Sequence, residues 1–89
     1  MTILNFAYYR KEDWDRFLAS IDDRDKMPET WEEWHEKFLK AKITCVMHGA
    51  RVADVVVDID LLSHYCRVRG LKNNGEARAE FVQGGGKLG

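Results

Sequence analysis

The chain has little of several things. Its 89 residues hold one proline, two cysteines and no apolar stretch near 18 residues. No basic start leads into an apolar segment either, so neither a membrane-spanning helix nor an export signal is read, and a cytoplasmic protein is expected. Cys45 and Cys66 make no disulfide framework, and buried, reduced thiols are expected. Pro28 lacks an N–H and disfavours helix at Met27, which marks a connection there. Charge of one sign is also missing, because the net value is −1. That balance hides an asymmetry. Residues 1–36 hold ten Asp/Glu and five Lys/Arg, whereas residues 37–89 hold five and nine. Attraction between the halves, within the fold or across a dimer, is the favoured reading over a basic surface for nucleic acid, because the acidic half repels phosphate.

Apolar material is ample. The chain is 45% hydrophobic, with three Trp and four Phe, and each such ring can bury about 150–250 Å². Composition and length predict one small folded domain over residues 1–83, followed by a flexible glycine-rich tail at 84–89.

The organising stretch is residues 51–70, RVADVVVDIDLLSHYCRVRG. Residues 52–57 are mostly β-branched, as a half-buried strand prefers. Asp58 stops that run and can cap a helix. Leu61, Leu62, Tyr65 and Cys66 then follow at helical spacing, and Gly70 can end the helix in the left-handed conformation. Upstream, residues 2–8 alternate as a short strand. A helix is expected over 10–22, with Trp14, Phe17, Leu18 and Ile21 on one stripe. Thr30 and Glu33 form a capping box that opens a second helix running to about Met47. Its buried stripe is read as Trp31, Trp34, Phe38, Ala41 and Cys45, broadened by Leu39 and Val46. A last helix at 76–83 should turn Ala77, Phe81 and Val82 inward. The fold is therefore α+β and mainly helical, in the order β-α-α-β-α-α, with a central strand running into a capped helix. Two strands make a poor sheet and the central one lacks an adequate partner in its own chain, so it is expected to pair with its copy in a homodimer; the alternative is a monomer in which residues 2–8 pair with residues 52–57 and helices cover the edges.

Candidate chemistry is sparse. Asp58 and Asp60 after an apolar strand resemble the nucleophile motif of haloacid-dehalogenase-type phosphatases, in which the first Asp attacks phosphate and the second serves as acid/base. Here Leu62 stands where that motif has Thr or Val, and helix capping accounts for both carboxylates. Cys45, His48, His64 and Cys66 are zinc-ligand types, but His64 and Cys66 point about 200° apart on a helix. No catalytic residue, metal or cofactor is assigned. Trp34 and His35 are candidates for the rim of a pocket or an interface.

Residues 51–83 also resemble a ribbon-helix-helix repressor. The segment GLKNNGEARAEF matches that family's turn and second helix. The resemblance implies dimerisation through strands and phosphate contacts from Arg51, Arg67, Arg69, Lys72 and Arg78. The face that should read bases carries valines and Asp54 instead, so nucleic acid is an alternative partner and not the favoured one. Across YYRKEDW, TWEEW, VDID and EARAEF, the whole chain resembles small stand-alone bacterial proteins of unknown function. The leading expectation is a non-enzymatic, homodimeric binding or regulatory protein, with a partner protein as its other target. A small enzyme using the Asp pair stands third.

Overall fold

A computed structural model describes residues 2–87, while Met1, Leu88 and Gly89 lie outside the described residues. The elements are β1 (Ile3–Tyr8), α1 (Trp14–Ser20), α2 (Trp31–Met47), β2 (Arg51–Val56), α3 (Ile59–Arg69) and α4 (Gly75–Gln83). The order is β-α-α-β-α-α, mixed and mainly helical, as expected.

The capping signals act as read. Thr30 Oγ1 accepts from the Glu33 N–H at 3.2 Å, and Asp58 Oδ1 accepts from the Leu61 N–H at 3.0 Å. Gly70, at φ 66°, ends α3. Asn74 caps α4 by accepting from the Ala77 N–H at 3.0 Å. Thr30→Ala should cost about 1 kcal/mol, read as a lowered denaturant midpoint at unchanged slope.

The expectation that β2 lacks a partner in its own chain is corrected. β1 and β2 pair in parallel, Ile3 opposite Arg51 through Tyr8 opposite Val56. Parallel strands need a long crossover, and residues 9–50, with α1 and α2, supply it. Side chains alternate across this ribbon. Phe6 and Tyr8 turn toward α2, where their rings meet Phe38 at 5.9 and 5.5 Å. Asn5 turns to the other face, toward α4, and its Nδ2 donates to Val82 O at 2.9 Å. Helices thus cover both faces. Phe17, Val57, Leu62, Phe81 and Val82 are the most completely buried side chains.

Four further expectations change. The first helix begins as a 3-10 turn at Lys11–Asp13 and stops at Ser20, short of residue 22. The chain leaves it because Asp22 and Asn73 bond each other's backbone: the Asp22 N–H donates to Asn73 O (2.9 Å) and the Asn73 N–H donates to Asp22 Oδ2 (2.7 Å). The stripe on α2 is buried only at Trp34 and Phe38. Ala41, Leu39 and Val46 are exposed, because a sheet two strands wide offers no cover past β2. Arg78 is buried, not a surface cation, because Asp23 holds it from the opposite side of the core. The tail folds back at its start. The amides of Gly84, Gly85 and Gly86 donate to the carbonyls of Glu80, Val82 and Phe81, and a Cβ at Gly86 would stand 2.9 Å from Val55 Cγ1.

Candidate functional site

Three places merit weighing. The first lies at the carboxyl ends of the strands, where parallel sheets commonly hold ligands. A cleft of about 340 Å³ there is lined by Arg10, Asp13, Arg16, Asp58 and Asp60, with residues 56, 57 and 59 behind them. Its charges are engaged with one another. Arg10 reaches the buried Asp13 at 2.8 Å, and Arg16 spans Asp13 (3.5 Å) and Asp60 (2.8 Å). Asp58 is occupied as the α3 cap. The arrangement therefore links α1 to α3: one Asp58 oxygen caps α3, and the exposed Asp60 carboxylate pairs with Arg16. Sequence reading missed Arg10, Asp13 and Arg16; their i, i+3 spacing was the available signal.

The second place is the outer edge of β2. The Arg51 N–H donates to Thr2 O (2.9 Å) and the Val57 N–H to Tyr8 O (3.0 Å). By alternation, the amides of Val52, Asp54 and Val56 point away from β1. Among the described residues the sheet has no third strand. Beside this edge runs a stripe of α2. Lys42 reaches Asp54 of β2 at 3.0 Å, and Leu39, Ile43 and Val46 share its helix face. Ile43 and Val46 are more than half exposed, as is Val56 on the strand.

The third is a groove of about 410 Å³ along the outer edge of β1. Asn5, Ala7 and Tyr9 form its floor, Trp34 and Met27 one wall, and Arg78, Ala79 and Val82 the other. Burial pushes the Tyr9 phenol up to about 12, against the pull of the Arg78 guanidinium. Arg78 donates to both oxygens of Asp23, at 2.9 and 2.8 Å, and to Asn73 O at 3.0 Å. Those hydrogen bonds hold the Asp23 carboxyl below the usual range.

The residues singled out from sequence fall apart in space. Arg51, Arg67, Arg69 and Lys72 are exposed, and Arg69 lies over the Tyr65 ring, whereas Arg78 faces inward. Trp34 lines the third site, and half-buried His35 stacks on Trp31 at 4.4 Å. Both thiols are free. Cys45 is half-buried and Cys66 buried, and burial raises the pKa of the Cys66 thiol. Among the described residues no group of three or more His, Cys, Asp or Glu is placed to hold a metal ion, and no helix is long and apolar enough to cross a membrane.

The geometry defines a small mixed domain: a parallel two-stranded sheet between helices, with no further strand at either edge among the described residues. No family model, curated protein or solved structure matches the chain.

Proposed function

We propose that this protein is a small, non-enzymatic binding module that works as a homodimer, joined along the outer edge of β2. The observation carrying the reading is the coincidence of unpaired backbone and apolar surface. The amides of Val52, Asp54 and Val56 lack a strand partner, and Leu39, Ile43 and Val46 stand beside them in the open. A two-fold axis that sets β2 antiparallel to its copy pairs both edges and gives a four-stranded sheet. The two α2 helices then lie side by side and cover their stripes. A six-residue strand edge alone falls short of the roughly 800 Å² per partner of a stable interface, so the helix stripe is needed to complete it. Asp54 within the seam keeps Lys42 as its counter-charge. Two free thiols suit a reducing compartment, which supports a cytoplasmic setting for the module.

Light scattering at micromolar concentration should return twice the 10.4 kDa chain mass. Ile43→Asp combined with Val56→Lys should return the monomer with an unchanged far-ultraviolet circular dichroism spectrum, because both side chains are exposed in the single chain. A wild-type protein that scatters as a clean monomer defeats the reading. A double variant that stays dimeric moves the seam elsewhere.

A further inference from the structure

We infer that the groove along β1 is a docking site for an extended, uncharged segment of a partner protein, bound as an added strand. The register that turns Leu4, Phe6 and Tyr8 toward β2 turns the N–H and C=O of Asn5 and Ala7 outward, into this groove. Two neighbouring polar groups already have partners. Tyr9 O accepts from Trp31 Nε1 at 2.7 Å, and Asn5 Nδ2 donates to Val82 O on α4. What the edge still offers is backbone, spaced as an extended strand presents it, and such edges recruit peptides by strand addition. Small residues leave the space for one. Ala7, Gly75 and Ala79 line the groove, and a Cβ built on Gly75 meets nothing within 4 Å.

The walls set the chemistry of the guest. Half-buried Phe6 and Met27 present apolar surface, backed by the buried Trp34 and Val82. Arg78 is the one lining residue that carries a charge at neutral pH, and Asp23 neutralises it at 2.8 Å. A charged guest side chain would therefore be desolvated without a counter-ion, whereas an apolar one every second residue faces a matching wall. A second folded copy fits poorly. Edge-to-edge approach of two β1 strands would drive the flanking walls, Trp34 with Met27 and Ala79 with Val82, against their equivalents. The site is on the opposite edge of the sheet from the proposed dimer seam and does not depend on it.

The test pans a phage-displayed library of random short peptides against the immobilised full chain. Enriched peptides should repeat apolar residues at every second position and lack a required charge. Their affinity should fall by about tenfold or more for Ala79→Trp and for Gly75→Leu, and stay unchanged for Val68→Asp, on an exposed face of α3 that neither site uses. Ala79 and Gly75 are exposed, so both blocks should leave the melting temperature near that of the wild type. Hydrogen exchange should slow at the Asn5 and Ala7 amides when a selected peptide is added. The proposal is overturned by a panning with no enrichment over an empty surface, by peptides that bind the blocked variants equally well, or by binding that leaves those two amides unprotected. None of these outcomes alters the oligomeric state, so the dimer reading stands or falls separately.

Discussion

Asp23→Ala should destabilise the fold by about 3–5 kcal/mol, because it strands a buried guanidinium without its counter-ion. Arg78 is 5% exposed, and both of its terminal nitrogens bond Asp23. Its other partners, including Asn73 O and Oδ1, Met27 Sδ and the Phe17 ring at 5.3 Å, carry no negative charge to offset it. At about 0.05–0.15 kcal/mol per residue a chain of this size has roughly 4–13 kcal/mol in total, so the loss is a large share of it. Urea denaturation measures it. Removing both charges, with Asp23→Leu and Arg78→Met, should cost much less than the single change, since a buried pair replaced by apolar groups is often near neutral. A single variant within about 1 kcal/mol of the wild type would mean that Arg78 finds water instead.

The same pair predicts an acid limb. The folded Asp23 carboxyl titrates below its ordinary 3.8, held there chiefly by the hydrogen bonds from Arg78. A folded pKa below the unfolded one contributes stability that is complete above the unfolded value and is lost as pH falls through the folded value. Stability should therefore decline below about pH 4. Asp23→Asn should flatten that part of the curve. An Asn variant with the wild-type acid slope would assign the loss to another carboxylate.

Trp34→Ala should also cost about 3–5 kcal/mol. Trp34 is 9% exposed, and its ring stands 5.1 to 5.7 Å from those of Tyr8, Tyr9, Trp14 and Phe38. It joins the α2 face of the sheet to the opening turn of α1, so its removal opens a cavity that several elements border. Trp34→Phe should recover much of the loss by refilling part of that volume. A Trp34→Ala melting curve superimposed on the wild type would show that this aromatic cluster does not hold α2 in place.

Much of the candidate surface was hidden from a linear reading, and particular residues show why. Arg78 and Lys72 look alike as cations in the sequence. One is buried because Asp23, 55 positions away, is folded against it; the other has no such carboxylate among the described residues and stays in solvent. Leu39 and Val46 look like core because helical spacing places them near Phe38. They are exposed because the width of the sheet, not the period of the helix, decides how much of a stripe is covered. The Arg10–Asp13–Arg16 ladder was readable from its spacing, but its link to Asp60 was not, since that bond crosses 44 positions.

By itself, the sequence determined what depends on a few neighbouring residues. It set the order of elements, the caps at Thr30 and Asp58, the stop at Gly70, and the inward face of α4 at Ala77, Phe81 and Val82. Those outcomes follow from bonds and spacings within one or two helical turns, where chain geometry leaves few alternatives. Only the tertiary structure decided that β1 lies parallel to β2, that Arg78 faces Asp23, and that two sheet edges stay open. Each of these requires segments distant in the chain to meet, and that choice rests on the summed burial and pairing of the whole molecule.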